Sequence, residues 1–184
     1  MIQVIDDFLD QSYIDYLDFY CCNSVSWEYK SNLTDSSHGE IPWQHGISKL
    51  LHDATQKVSF DKTGSELFLP AVLKIEETFG LPWGCSCFRA RLDMSLRAPE
   101  PVIHEIHRDW DFDHYACILY LNDADGDTII YNETTEQSEY TVLETISPKK
   151  NRLVFFDGLH YHTGNSPIKN NRRLLMNINF VPPK

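Results

Sequence analysis

The spacing of apolar residues divides the chain into a largely helical N-terminal part and a strand-rich C-terminal part. Apolar stripes at three- and four-residue spacing predict three helices, at Asp10–Tyr20, Ile47–Ala54 and Glu66–Phe79. Asp10 can accept the first free amides of the first helix, whose predicted stripe consists of Leu9, Tyr13, Leu17 and Tyr20. Short apolar runs predict strands at Ile2–Ile5 and Val25–Tyr29, and the polar stretch Ser31–His45 predicts a loop.

From Cys85 onward the pattern changes to short runs of β-branched, aromatic and aliphatic residues separated by polar turns. The runs begin near Tyr115, Thr128, Leu153 and Leu174. Helices followed by many strands predict an α+β, mainly β fold in which the helices pack outside a β-rich core. At 184 residues the chain is expected to form a single domain, residues 1–184, with helical support over about 1–84 and a β core over about 85–182.

The amino-acid composition excludes some classes of protein and argues against some kinds of binding partner. A hydrophobic content of 42%, with 12% aromatics, excludes a mainly disordered chain. The net charge of −11 argues against binding to duplex nucleic acid, which needs a basic surface, but is compatible with a peptide or small-molecule substrate. No apolar run is long enough to span a membrane. Five cysteines, an odd number, without a basic and apolar leader indicate reduced thiols and a cytoplasmic location.

Two histidines and one carboxylate form the candidate metal site: His107, Asp109 and His162. In an extended strand, His107 and Asp109 point to the same side, so both can face one metal ion. Two histidines with one carboxylate, leaving three positions open, are the ligand set of non-heme Fe(II) oxygenases. Because His-x-Asp alone is a common pattern, the surrounding sequence has to support the assignment.

Three other histidines compete for a place in this site. His38 belongs to a second match, His38-Gly39-Glu40, which lies in a polar stretch without a strand pattern. His160 points to the same side as His162 if the segment is extended, and is an alternative ligand or a neighbour of the site. His104 faces away from His107 in a strand, so it is not assigned to the metal.

The residues around the candidate triad resemble the 2-oxoglutarate/Fe(II)-dependent dioxygenase family, over about Cys87 to Pro182. The similar motifs are Tyr120-Leu121-Asn122, Gly126-Asp127-Thr128, Val154-Phe155-Phe156-Asp157, His162-Thr163-Gly164 and Arg173 at the start of the last apolar run. The strand ending Tyr120-Leu121-Asn122 is most similar to the prolyl hydroxylase branch. Asp125 replaces a glycine that is common in the family, and Leu175 replaces a serine.

The resemblance implies a double-stranded β-helix, or jelly roll, with Fe(II) bound by His107, Asp109 and His162. It also implies 2-oxoglutarate as co-substrate, with its far carboxylate held by Arg173, and O2 as the oxidant. Tyr120 would donate its hydroxyl to the same carboxylate, or else is a core tyrosine. Arg172 is the neighbouring alternative to Arg173. The implied activity is hydroxylation of an unactivated C–H bond in a peptide, including a prolyl peptide, or in a small molecule.

The alternative function is a cupin-like jelly roll that binds a metal or a sugar without redox chemistry. Such a protein would carry histidine ligands in the same architecture, but it has no need of Arg173.

Overall fold

The computed structural model describes residues 1–34, 43–60, 64–82 and 86–182. Within these residues the chain forms two α-helices, α1 (Gln11–Asn23) and α2 (Leu69–Phe79), and a short 3₁₀ turn, Ser65–Phe68, precedes α2. The strands are β1 (Ile2–Ile5), β2 (Glu28–Lys30), β3 (Gly46–Asp53), β4 (Cys87–Leu96), β5 (Tyr115–Tyr120), β6 (Thr128–Tyr131), β7 (Val142–Ile146), β8 (Leu153–Asp157), β9 (His162–Gly164) and β10 (Arg172–Phe180). No helix in the described ranges is long and apolar enough to cross a membrane.

The strands form two antiparallel sheets. The major sheet has the order β1-β8-β5-β10-β4-β3-β2, and the minor sheet has the order β7-β6-β9. The predicted mainly β class is therefore confirmed. The N-terminal part is not only helical support, because β1 extends one edge of the major sheet and β2 and β3 extend the other.

The central strands of the major sheet are buried on both faces, so they carry two different sets of side chains. On one face, Leu119, Met176 and Ile178 pack in a single cluster with Leu17 of α1 and Ile75 of α2. On the other face, Ile118, Tyr120 and Leu175 form a second cluster with residues of the minor sheet, among them Ile130 and Ile146. Because side chains alternate along a strand, β10 sends Leu174, Met176, Ile178 and Phe180 to the helices and Arg173, Leu175, Asn177 and Asn179 to the other side.

The first predicted helix is confirmed, with Asp10 accepting a hydrogen bond from Ser12 N at 2.9 Å as its N-cap. Its buried stripe is Ile14, Leu17 and Cys21, which is rotated slightly from the predicted stripe. Tyr13 and Tyr20 flank that stripe and are half-buried, because their hydroxyl ends favour the edge of the core.

The predicted helix at Ile47–Ala54 is wrong, because this segment is the strand β3. Its pairing with β4 shifts register between Leu50 and His52, which marks a β-bulge. Gly46 and Ser48 are buried before the bulge, and Leu51 and Asp53 are buried after it. Because of the extra residue, the buried positions before and after the bulge, Ser48 and Leu51, are three residues apart. This spacing is also typical of one face of a helix.

Candidate active site

The residues of the candidate metal triad meet in the structure. The possible ligand atoms of His107, Asp109 and His162 lie within 4.8 Å of one another, and the two imidazole centroids are 4.7 Å apart. His107 Nε2 is 3.9 Å from Asp109 Oδ1, and His162 Nε2 is 3.9 Å from Asp109 Oδ2. These separations leave space for one ion between the three side chains.

The segment that carries His107 is not the regular strand that the sequence predicts. It is held by isolated bridges, of which His107 with His162 is one. His107 N donates to His162 O at 3.0 Å, and His162 N donates to His107 O at 2.9 Å. This reciprocal pair places the two histidines directly opposite each other. Backbone pairing therefore positions the metal ligands even though the segment is irregular.

The tautomers of both histidines follow from their hydrogen bonds. His107 Nδ1 lies 3.0 Å from Glu105 O, and His162 Nδ1 lies 3.1 Å from His160 O. A carbonyl oxygen only accepts, so each Nδ1 carries the proton and each Nε2 presents its lone pair to the centre of the site. Fixing the ring through the second nitrogen is the usual arrangement for a metal-binding histidine.

The charges at the triad suit a dication. Burial, with a contribution from His107, lowers the pKa of His162 to about 4, so this imidazole is neutral at neutral pH. Burial alone raises the pKa of the Asp109 carboxyl, but His162, His107 and a hydrogen bond from Asn179 hold it below its usual value. Imidazole nitrogens together with one carboxylate are the ligand chemistry that Fe(II) takes.

One small cavity, partly open to solvent, is lined both by the triad histidines and by Arg173. Arg173 lies on the site face of β10, four residues and roughly 13 Å of strand before Asn177, which also lines the cavity. Gly164 lies against the guanidinium, and a Cβ there would come within 3.2 Å of Arg173 Nη1. The glycine in His162-Thr163-Gly164 therefore leaves room for the arginine.

Arg173 is a buried cation, with only 7% of its surface exposed. Its Nη2 donates to Thr128 Oγ1 at 2.6 Å, its Nε has no hydrogen-bond partner, and no ion pair joins it to a carboxylate within the described part of the chain. A buried charge without a counter-ion is costly. The arrangement therefore fits an anionic group that enters the cavity from outside, such as a carboxylate.

Tyr120 and Thr128 lie beside this arginine. Tyr120 is fully buried, the guanidinium carbon of Arg173 is 5.5 Å from the centre of its ring, and its hydroxyl lies 2.6 Å from Thr128 Oγ1. Thr128 lines the cavity, whereas the tyrosine lies behind it. The sequence analysis assigned no role to Thr128, although it belongs to the Gly126-Asp127-Thr128 motif. Leu175 also lines the cavity, in place of the family's serine.

Thr128→Val is expected to destabilise the fold by about 1–3 kcal/mol, because it leaves buried donors of Arg173 and Tyr120 without a partner. Valine keeps the shape of the side chain, so the loss reports the hydroxyl. The measurement is the free energy of unfolding in urea. Tyr120→Phe, which removes one hydrogen bond and leaves the arginine paired, is expected to cost about 0.5–1.5 kcal/mol. A Thr128→Val variant as stable as the wild type would contradict the network.

The competing candidates lie elsewhere. His160 is in a turn before β9, where its Nδ1 lies 2.8 Å from Tyr131 O, and it does not join the triad. Arg172 points away from the cavity and pairs with Asp18 of α1 at 2.9 Å. The match His38-Gly39-Glu40 lies outside the described residues.

His104 is a further histidine that lines the cavity. It is buried, its Nε2 lies 2.8 Å from Ser166 Oγ, and it is not part of the triad. Burial, together with Arg173 and His107, lowers its pKa to about 4. At neutral pH the imidazole of His104 is therefore an uncharged part of the cavity lining.

Asn177 and Asn179 of β10 are neighbours of the triad that the sequence analysis missed. Asn179 Nδ2 donates to Asp109 Oδ2 at 2.8 Å, and Asn177 Nδ2 lies 3.4 Å from the same oxygen. A signal for them was present, because both are polar residues at even spacing from Arg173 in an otherwise apolar run.

A family model described as the 2OG-Fe(II) oxygenase superfamily matches residues 101–181, which include the triad and Arg173. No curated protein matches the chain.

Solved structures share the fold at low sequence identity. A Pseudomonas putida prolyl-4-hydroxylase is 13% identical, with a TM-score of 0.58 over 100% of this chain and 93% of its own. A Trichoplax adhaerens prolyl hydroxylase, in complex with a hypoxia inducible factor peptide fragment, is 13% identical, with a TM-score of 0.64 over 97% of this chain and 82% of its own. The epimerase SnoN, in complex with Fe3+, alpha ketoglutarate and nogalamycin RO, is 12% identical, with a TM-score of 0.62 over 98% and 78%. These likenesses confirm the predicted double-stranded β-helix.

Proposed function

We propose that this chain is a 2OG-Fe(II) oxygenase, as the family-model match over residues 101–181 supports, and that it hydroxylates an unactivated C–H bond of a peptide, including a prolyl peptide, or of a small molecule. Proteins of this superfamily, which includes dioxygenases and hydroxylases, use Fe(II), 2-oxoglutarate and O2. The observation that carries the proposal is the pairing, in one cavity, of a two-histidine, one-carboxylate cluster with a buried arginine that has no carboxylate partner among the described residues.

His107, Asp109 and His162 are the metal ligands in this proposal. Each histidine offers Nε2, and the carboxylate offsets part of the charge of the ion. When bound, Fe(II) together with 2-oxoglutarate and O2 supplies the oxidation that turns a C–H bond into an alcohol while the co-substrate becomes succinate and CO2.

Arg173 holds the far carboxylate of 2-oxoglutarate. Its planar guanidinium can donate two parallel hydrogen bonds to a carboxylate, which a lysine cannot do. Thr128 keeps the arginine in place from one side, and Tyr120 supports Thr128 from behind. We assign Tyr120 to co-substrate binding through this threonine. The apolar side chains of Ile118 and Leu175 line the same cavity and reduce its access to water.

The substrate is proposed to be a peptide or a small molecule. Fold neighbours include a hydroxylase with a bound peptide fragment and an epimerase with a bound small molecule. The net charge of −11 argues against duplex nucleic acid as a partner. We further propose that residues 1–184 act as one domain and that the protein works in the cytoplasm.

The test is a substrate screen with purified protein, Fe(II), 2-oxoglutarate and ascorbate, in which peptides and metabolites are presented in separate pools. We expect succinate to form faster in at least one pool than without substrate, together with a product heavier by one oxygen atom. The His107→Ala protein serves as the matched control. If the wild type binds a metal but neither binds nor consumes 2-oxoglutarate, the cupin-like alternative is favoured instead.

A further inference from the structure

The carboxamide of Asn179 bridges the proposed metal ligand Asp109 and the side chain of Trp110. Its Nδ2 donates to Asp109 Oδ2 at 2.8 Å, and its Oδ1 accepts from Trp110 Nε1 at 3.3 Å. Asn179 is fully buried, so water does not compete for these bonds. The bridge joins β10 to the irregular segment that carries Asp109.

The chemistry of the two partners allows only one orientation of this carboxamide. An indole N–H is only a donor, and an ionised carboxylate is only an acceptor. The amide oxygen must therefore face Trp110, and the amide nitrogen must face Asp109. A flipped amide would bring its oxygen against the carboxylate and its NH2 group against the indole N–H, and both contacts would be repulsive.

The indole is itself fixed by its neighbours. The ring of Phe88 meets it edge to face, with centroids 5.0 Å apart, and the guanidinium of Arg89 lies 5.8 Å from its centre. Trp110 therefore presents its N–H from a packed position. Trp110 directly follows Asp109 in the chain. The same short segment therefore supplies both the carboxylate of Asp109 and the indole that orients Asn179 against it.

The two oxygens of Asp109 have different surroundings. Oδ2 lies near both carboxamides, at 2.8 Å from Asn179 Nδ2 and at the longer 3.4 Å from Asn177 Nδ2. Each oxygen lies 3.9 Å from one triad histidine, Oδ1 from His107 Nε2 and Oδ2 from His162 Nε2, but Oδ1 receives no hydrogen bond from the described part of the chain. Oδ2 thus carries the amide hydrogen bonds of this carboxylate, whereas Oδ1 accepts none from the described residues and keeps its lone pairs for an ion.

We propose that Trp110 and Asn179 form an oriented relay that keeps Asp109 a metal ligand through one oxygen, Oδ1. A carboxylate that binds with both oxygens takes an additional position around the ion. The ligand set needs three open positions for a chelating co-substrate and O2. Asn179 and Trp110 are thus positioning residues, and Asn177 assists from the same face of β10. The inference rests on the proposed metal site.

The experiment measures Mn(II) affinity of the full-length apoprotein by calorimetry, in parallel with the free energy of unfolding of each metal-free variant. Asn179→Ala removes the bridge, and Trp110→Phe keeps an aromatic ring against Phe88 but removes the N–H. Trp27→Phe is the matched control, because its indole also donates one hydrogen bond, to Cys21 O at 3.0 Å, on α1.

Asn179→Ala is expected to weaken Mn(II) binding by about 10- to 100-fold, the usual effect of losing a hydrogen-bond partner of a metal ligand. Trp110→Phe should cause a smaller loss, and Trp27→Phe should cause none. The double variant Trp110→Phe/Asn179→Ala should bind Mn(II) no more weakly than Asn179→Ala alone, because the indole acts through the carboxamide. A purely structural role would instead lower the stability of the metal-free protein without this pattern.

Spectroscopy adds a readout of the ligand geometry. In the Co(II)-loaded protein, a change of Asp109 from one-oxygen to two-oxygen binding takes one of the positions otherwise open to solvent and so changes the ligand field of the ion. We therefore expect the visible spectrum of Co(II) to change in Asn179→Ala and to stay unchanged in Trp27→Phe.

The outcomes separate the relay from the metal site itself. Mn(II) binding by the wild type with unchanged affinity in Trp110→Phe and Asn179→Ala overturns the relay and leaves the proposed function standing. Losses that add in the double variant overturn the action of Trp110 through Asn179. A wild-type protein that binds neither Mn(II) nor Co(II) at His107, Asp109 and His162 overturns the proposed function and the relay together.

Discussion

Replacing His107 or Asp109 with alanine is expected to abolish 2-oxoglutarate-dependent turnover while leaving the fold largely intact. Each variant removes one of only three protein ligands, so the ion loses both affinity and a defined geometry. The fold should persist because His107 is partly exposed and the backbone bridge between His107 and His162 does not need the imidazole. The measurements are succinate formation, Mn(II) affinity and circular dichroism of the same preparations.

His160→Ala is the control for this prediction. Its ring lies against Tyr131 O and not against the triad, and the bond to His162 Nδ1 uses its backbone carbonyl, which alanine retains. Mn(II) binding should therefore survive. If His160→Ala lost the metal and His162→Ala kept it, the assignment of the distal ligand would be wrong. A metal ion found at His38 and Glu40 instead would contradict the whole triad.

Arg173→Ala is expected to weaken 2-oxoglutarate binding by at least about thirtyfold and to leave Mn(II) binding nearly unchanged. Removing one partner of a buried, hydrogen-bonded charge pair costs about 2–5 kcal/mol, largely because the other charge stays unpaired. At about 1.4 kcal/mol per tenfold change, the lower end already gives this factor. The metal site should be spared, because the arginine is not among the clustered ligands. The measurement is a 2-oxoglutarate titration of the Mn(II)-loaded protein.

The adjacent Arg172→Ala variant supplies the matched control. It removes the same charge from the neighbouring position, but Arg172 points to the other side of β10 and pairs with Asp18. We expect 2-oxoglutarate affinity to stay close to that of the wild type. A large loss in Arg172→Ala with a small loss in Arg173→Ala would mean that the two arginines are exchanged between the faces of the strand. No loss in either variant would argue against 2-oxoglutarate as the co-substrate.

The sequence by itself determined the class of fold and the candidate chemistry. The resemblance to the dioxygenase family placed Arg173 at the co-substrate, and the period of two along a strand means that the adjacent Arg172 points to the opposite face. The triad followed from residue type and spacing together with the motifs around it. Residue type, spacing and short motifs are local properties of the sequence, so they can be interpreted without knowing which strands pair.

The predicted helix at Ile47–Ala54 shows where local pattern fails. The β-bulge in β3 is created by pairing with β4, a strand that lies far along the chain, and it shifts the buried positions from one phase to the other. No property of the segment alone distinguishes this bulged strand from a short amphipathic helix. Likewise, the segment of His107 looked like a strand but is held by isolated bridges to the segment of His162.

Only the tertiary structure decided between the neighbouring candidates and supplied the partners of the site. The bridge between His107 and His162 places His162, and not His160, beside His107 and Asp109, and Arg173 and Arg172 lie on opposite faces of β10. Thr128, Asn179 and Trp110 acquired their relations to Arg173 and Asp109 through contacts between distant segments. The physical reason is that sequence spacing specifies the side of a strand to which a residue points. Which groups meet there depends on how the sheets pair and pack.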